Sequence, residues 1–250
     1  MTITQLMAAG NFSPQMVAAL WMGLENGASI VIASDPPSSG KTTTLTALLP
    51  FFPPDALLYF TRGLGEDFSL PPPGAEGPVY LMVNEISDHL PVYSWGSYVQ
   101  RIFELMADGY AMASTMHCDT TEEVIEQLME QVGVTPSLVG HLTLVVPLEV
   151  RRGPRGVVRR ALEVAMLRPS PEGPLKSRLG HWSPITESFV APSPEEISGF
   201  AAYLARDAES VAEDLATRAG VLADLAAAHA GSEEIERAIQ NYRESQVTQT

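Results

Sequence analysis

Residues 31–44 read VIASDPPSSGKTTT, an apolar run that breaks into a Pro/Ser/Gly turn and resumes as Gly40-Lys41-Thr42 at the head of a helical pattern. No other stretch limits the possible folds as much as this strand–loop–helix connection. The loop closes on a helix N-terminus, where several backbone N–H groups lack partners and can face an anion. A lysine there adds a point charge for the β- and γ-phosphates of a nucleotide, and the threonine hydroxyl reaches Mg²⁺. The chain has only two lysines, Lys41 and Lys176, so finding one in this loop carries weight. Ser38, Ser39, Gly40, Lys41, Thr42 and Thr43 are the candidate phosphate cradle. An ordinary Ser/Gly turn before a helix is the plain structural alternative. Asp35 stands where the first glycine of a P-loop is usual. Aspartate tolerates a left-handed backbone, but its carboxylate must point away from a polyphosphate. Pro36 and Pro37 offer no N–H.

The 250-residue chain is 45% hydrophobic, enough for one large domain with an appendage or for two modest ones. A net charge of −15 argues against a free-standing nucleic-acid binder. The one basic concentration is Arg151, Arg152, Arg155, Arg159 and Arg160. A single cysteine, Cys118, excludes a disulfide scaffold and suits a reducing compartment. No apolar run approaches about 18 residues, and no basic segment followed by an apolar one opens the sequence. The expectation is a cytoplasmic protein.

Ser13-Pro14 opens a helix whose apolar positions Val17, Leu20, Trp21 and Leu24 share a face, and Asn26-Gly27 stops it. Strand-like runs follow at 29–33, 57–61, 78–83, 110–115, 142–149 and 157–165. Helical patterns lie between them at 41–50, 94–108 and 120–132. This alternation predicts an α/β fold with a mainly parallel sheet covered on both faces. Residues 1–168 form the expected core. Residues 169–192, rich in Pro, Gly and Ser, read as a connector. Residues 193–245 read as a helical C-terminal region, its last helix ending near Tyr242, and 246–250 as a frayed tail.

Glu85 closes the apolar run 79–84, where a carboxylate beside a P-loop is placed to orient water or support Mg²⁺. A strand-end acid at the surface is the alternative. His117 ends the run 113–116, from which it could sense a γ-phosphate or relay that state to a neighbouring subunit. A lone histidine is more often structural. Cys118 reads as packing. Arg62, Arg101 and the 151–160 cluster are candidate phosphate or subunit contacts, against the commoner solvated role of surface arginines. Trp182 reads as packing that docks the C-terminal part.

Taken together, these stretches resemble the type II/type IV secretion-system ATPase superfamily, in its archaellum-motor and tight-adherence pilus branch. The resemblance runs through most of the chain. It rests on 4–27 leading into the loop, on Ser39-Gly40-Lys41-Thr42-Thr43-Thr44-Leu45 as a Walker A ending, and on Asn84-Glu85-Ile86 as Walker B. It rests also on Ser114-Thr115-Met116-His117 with Glu122-Glu123-Val124-Ile125 as a His box, and on Arg159-Arg160-Ala161-Leu162-Glu163, Trp182, Arg218 and Tyr242 toward the C-terminus. It implies a RecA-like core and ATP with Mg²⁺ as cofactors. It gives Lys41 the β/γ-phosphates, Thr42 and Glu85 the metal, Glu85 and His117 the catalytic roles, and places the subunit in a hexameric ring. Partners would be copies of itself or a full-length secretion ATPase, docked at an inner-membrane platform protein, with no nucleic acid. The location would be cytoplasmic, peripheral at the inner face of the membrane.

The departures are as informative. The family's N-terminal domain is not matched, and the chain is expected to begin almost at the core. An acidic box expected after the strand at 57–61 is replaced by Phe60-Thr61-Arg62-Gly63, with Glu66 and Asp67 as displaced acids. Ser87 stands where the family has arginine, and the stretch before Glu85 is short. These losses fall on water positioning and interfacial sensing more than on binding. The runner-up reading is therefore a non-hydrolysing nucleotide-binding accessory. A small-molecule kinase or GTPase is disfavoured, since no acceptor lid or base-reading motif is visible.

Overall fold

The computed structural model describes residues 1–74, 77–153 and 156–247. Two helices come first, α1 (Ile3–Ala8) and α2 (Pro14–Glu25). Ser13 caps α2 through a hydrogen bond from the Met16 N–H to its Oγ (3.2 Å), with Pro14 in the first turn. Helix α1 has its own capping box on Thr2 and Gln5, too short a signal to separate in the sequence. Next come β1 (Ile30–Ala33), α3 (Lys41–Leu48), β2 (Leu57–Phe60), β3 (Val79–Met82), α4 (Ser97–Ala107) and β4 (Ala111–Met116). Helix α5 (Thr121–Glu126) runs on into a π-type turn over Gln127–Val132 and is followed by α6 (Pro136–Val139). Strands β5 (Leu144–Gly153), β6 (Gly156–Ala161), β7 (Glu163–Arg168), β8 (Leu175–Ser183) and β9 (Ser188–Val190) lead to α7 (Pro194–Tyr203), α8 (Ala208–Ala227) and α9 (Ser232–Val247).

The sheet runs β2-β3-β4-β1-β5-β7-β8-β9, with β6 hairpinned onto β5. From β2 to β5 every pairing is parallel. This half is the expected mainly parallel α/β sheet, with β1 between β4 and β5. Strand β1 is buried on both faces, Ile30 and Ile32 entering one core layer and Val31 and Ala33 the other. The first layer packs α1, α2, α3 and the C-terminal helices; the second packs α4 and α5.

Beyond β5 the sheet turns antiparallel, and here the sequence reading needs correction. The run 157–165 is two strands, β6 and β7. The stretch read as a connector carries β8 and β9, which extend the sheet. Flanking Pro, Gly and Ser outweighed the apolar positions of β8, whose N-terminal end is largely exposed. Trp182 packs against Phe189 of β9 and under the Arg160 guanidinium. Helix α9 continues past Tyr242 to Val247; the rest of the tail expected to fray lies outside the described residues.

Helices α8 and α9 are tied to α2 by a buried polar cluster. Arg218 Nη1 lies 2.7 Å from Glu25 and its Nε 2.7 Å from Asp214. The Tyr242 hydroxyl donates to Asp214, Arg206 reaches the other Asp214 oxygen at 2.7 Å, and Arg243 pairs with Glu25. The Arg218 guanidinium also stands over Trp21 and Tyr242. Lys176, the second lysine, sits between Glu122 and Glu163 at 2.6 Å from each, a structural staple. Among the described residues no helix is long and apolar enough to cross a membrane.

Candidate nucleotide site at the strand ends

In an open α/β sheet, ligands bind outside the carboxyl ends of the strands. Parallel pairing brings three such ends together here, Ala33 beside Met116 and Met82 beside Ala113. The Ser34 N–H donates to Met116 C=O at 3.1 Å, and the Ile86 N–H to Thr115 C=O at 2.9 Å. Residues 34–40, Glu85 and His117 therefore meet at one edge. Residues 37–43, Glu85 and His117 line a cavity of about 420 Å³.

The loop has the backbone a cradle needs. Ser38 and Gly40 take positive φ values, 59° and 102°, and Gly40 is the N-cap residue of α3. With no side chain capping α3, its first amides remain directed at the cavity. By contrast, Ser13, Thr120, Ser193 and Asp207 all cap their helices. Ser39 is buried, and its hydroxyl has no partner among the described residues. Uncapped amides, left-handed turns and an orphaned hydroxyl together fit a polyphosphate. Thr42 is exposed in the first turn beside them, where its hydroxyl is free to meet a cation.

Lys41 is buried and donates to Ser34 C=O at 2.8 Å. Burial holds its ammonium below the ordinary lysine range, and the charges of Glu85 and Asp35 draw it part of the way back. Its Nζ lies 3.4 Å from both His117 ring nitrogens. His117 Nδ1 is 2.7 Å from Asp35 C=O. A carbonyl only accepts, so Nδ1 carries the proton. His117 Nε2 then accepts from Lys41 when the ring is neutral. As an imidazolium it donates to Glu85 Oε1, 3.4 Å away. The histidine thus stands between the loop's cation and the only carboxylate among the described residues lining the cavity.

Glu85 is buried. Its C=O accepts from the Ser94 N–H at 3.1 Å, and Asn84 C=O accepts from the Thr115 hydroxyl at 3.2 Å, which fixes the segment against β4. Asp35 uses its backbone: its N–H donates to Asp119 Oδ1 at 3.0 Å, and its carboxylate does not line the cavity. Asp119 was missed in the sequence, where nothing local distinguishes it.

The other candidates separate. Arg159, on β6, lays its guanidinium along the loop and donates to Ser38 C=O at 3.1 Å. Arg155 lies outside the described residues. Arg62 pairs with Asp67 at 2.8 Å and with Glu66 at 3.4 Å, away from the cavity, and Arg101 pairs with Glu104 on α4. Glu66 is buried and accepts from the Arg62 and Phe68 N–H groups and the Tyr59 hydroxyl. Burial raises its carboxyl, and these donors more than offset that, leaving it below the usual range. It closes its own loop and does not replace the absent acidic box. Ser87 likewise shapes the turn after Glu85. The Cys118 thiol is pushed up to about 12 by burial and contacts Gln127, consistent with packing.

No family model matches the chain. Two proteins of Methanocaldococcus jannaschii are related in sequence. Uncharacterised protein MJ0900 is 30% identical over 152 residues, covering 51% of this chain and 26% of its own length. Uncharacterised protein MJ1287 is 26% identical over 278 aligned positions, covering 96% and 97%. Among solved structures, the VirB11 ATPase from the Brucella suis type IV secretion system matches 59% of this chain and 50% of its own, at 22% identity and a TM-score of 0.42. The Legionella pneumophila ATPase DotB matches 96% of this chain and 66% of its own, at 14% identity and a TM-score of 0.44. The chain thus spans about a quarter of MJ0900, half of VirB11 and two thirds of DotB.

Proposed function

We propose that the chain is a divergent member of the type II/type IV secretion ATPase superfamily that binds ATP with Mg²⁺ and hydrolyses it slowly, as a motor-type subunit of a secretion- or pilus-like assembly. The observation that carries this is the convergence of Lys41, Glu85 and His117 on the uncapped N-terminus of α3 in one cavity. The ordered motifs of the sequence support it. Lys41 and the amides of residues 39–43 hold the β- and γ-phosphates. Thr42 and Glu85 would hold Mg²⁺, which when bound would offset charge on the phosphates. Glu85 orients the attacking water, and His117 couples the γ-phosphate position to Glu85. The working form is a hexameric ring, of this chain alone or with a full-length secretion ATPase, cytoplasmic and docked at a membrane platform.

A second reading, a nucleotide-binding accessory without turnover, is favoured by one observation. Glu66 faces its own loop, so Glu85 has no acidic neighbour lining the cavity among the described residues.

The test is calorimetric titration with ATP and Mg²⁺, light scattering of the same samples, and phosphate release. Lys41→Ala removes a charged hydrogen bond of about 1.5–3 kcal/mol, so affinity is expected to fall roughly 10- to 100-fold. Unchanged affinity, or no binding by the parent, overturns the proposal. Binding and ring formation without phosphate release select the accessory reading.

The depressed Lys41 ammonium gives a second expectation. A bound polyphosphate raises it again, so binding takes up a proton when the pH lies between the free and bound values. Affinity then falls as the pH rises through that window. Binding heats at alkaline pH in two buffers of different ionisation enthalpy measure the uptake; identical heats contradict it.

A further inference from the structure

At the end of β7, Arg168 stands apart from the chain's other buried and half-buried arginines. Arg206, Arg218 and Arg243 pair with carboxylates, Arg160 lies over Trp182, and Arg159 donates to Ser38 C=O. The Arg168 side chain makes no hydrogen bond, ion pair or ring contact with the described residues, and its Nε is buried without a partner. In a chain of 15 basic and 30 acidic residues, a guanidinium left without a carboxylate is unusual. Arg168 lines a cavity of about 490 Å³ between β7, β8 and α7. Pairing of Arg168 with Leu175 and of Met166 with Ser177 puts Ser177 on the same sheet face, diagonal to Arg168. The Ser177 hydroxyl is also buried and unpartnered among the described residues. Helix α7 lies over this face, and its Gly199 leaves the space open: a Cβ there would stand 3.9 Å from Arg168 Nη2. Alanine suits a helix interior better than glycine does.

The remaining charges at the wall are either engaged or repel an anion. Lys176 is held between Glu122 and Glu163. Glu196 accepts from the Ser193 N–H at 2.7 Å, and Arg178 Nε comes only within 3.9 Å of its other oxygen. Glu195 has no side-chain partner among the described residues. We propose that this cavity binds a small ligand through its carboxylate, held by the terminal nitrogens of Arg168. Those nitrogens are accessible and unpaired among the described residues. A planar guanidinium meets a carboxylate in two parallel hydrogen bonds, and enclosure of Nε limits the swing of the group. Glu195 and Glu196 oppose a second negative charge, so a carboxylate fits this wall better than a phosphate dianion. The cavity shares no lining residue with the nucleotide cavity, and the inference stands independently of that assignment.

The ¹⁵N-labelled full chain is titrated with acetate, inorganic phosphate and chloride at matched ionic strength, following the Arg168 Nε–H resonance and the Ser177 and Gly199 amides. Acetate is expected to shift all three saturably and at lower concentration than phosphate, while chloride leaves them unmoved. Arg168→Gln is expected to weaken acetate binding, read from the two amides, about 10- to 100-fold. Gly199→Leu keeps the guanidinium but fills the space above it. It is expected to act in the same sense and covers the case of an Arg168 variant that misfolds. Equal shifts with chloride reduce the effect to screening and overturn the proposal, as does acetate binding unmoved by both substitutions. Tighter binding of phosphate overturns the carboxylate assignment. If Glu195→Gln without acetate moves the Arg168 resonance as far as acetate does, the guanidinium is already paired within the chain and the proposal fails.

Discussion

Glu85→Gln is expected to lower phosphate release roughly 100- to 1,000-fold while leaving ATP affinity within about threefold, the pattern of a group that acts in the transition state. The substitution keeps the shape of the side chain and the backbone contacts that hold it, the Ser94 N–H to its C=O and the Thr115 hydroxyl to Asn84. It removes the charge facing His117 at 3.4 Å. With no second carboxylate lining the cavity among the described residues, nothing is placed to take over. Single-turnover phosphate release measured beside equilibrium binding reads the two effects separately. Equal rates for parent and variant would remove Glu85 from the chemistry. Binding lost together with rate would assign it to holding the ligand instead.

Asp214→Ala is expected to cost about 3 kcal/mol or more, because it leaves the Arg218 guanidinium buried with only part of its compensation. Asp214 accepts from Arg218, Arg206 and Tyr242 at once, and these bonds join α8 to α9 and, through Glu25, to α2. Adding Arg218→Met should recover part of the loss, since an apolar residue of similar length restores packing without an orphaned charge. The effect depends on pH in a defined direction. Burial raises the Asp214 carboxyl, and the bonds from Arg218 and Tyr242 more than offset it, so it lies below its ordinary value. Its contribution is therefore fully present above about pH 4 and is lost as the pH falls through the lower folded-state value. Denaturant unfolding of parent and variant at neutral and acid pH measures this. A difference under about 1 kcal/mol at neutral pH, or one that widens on acidification, contradicts the account.

The left-handed turn at Gly40 and the helix caps were legible because their physics is local. Ser13 reaches Met16, and Gly40 starts α3, within a few residues of chain. Apolar runs ending in Glu85 and His117 marked strand ends for the same reason. The β8–β9 extension was obscured, since the exposed N-terminal half of β8 is flanked by Pro, Gly and Ser and its pairing partner lies in β7. Glu66 looked like a displaced catalytic acid; only the folded loop shows three donors turned onto it.

Short-range chemistry thus wrote the strand, the left-handed turn and the lysine of the loop before α3 into adjacent residues, where neighbouring dihedrals and helix-end amides suffice to specify them. Which arginine serves that loop was settled by folding. Arg159 and Ser38 are 121 residues apart, and they meet because β5 pairs in parallel with β1 and then doubles back through β6. Sheet register is a property of the whole packed core, and it brings Glu85, His117 and Arg159 beside the N-terminus of α3.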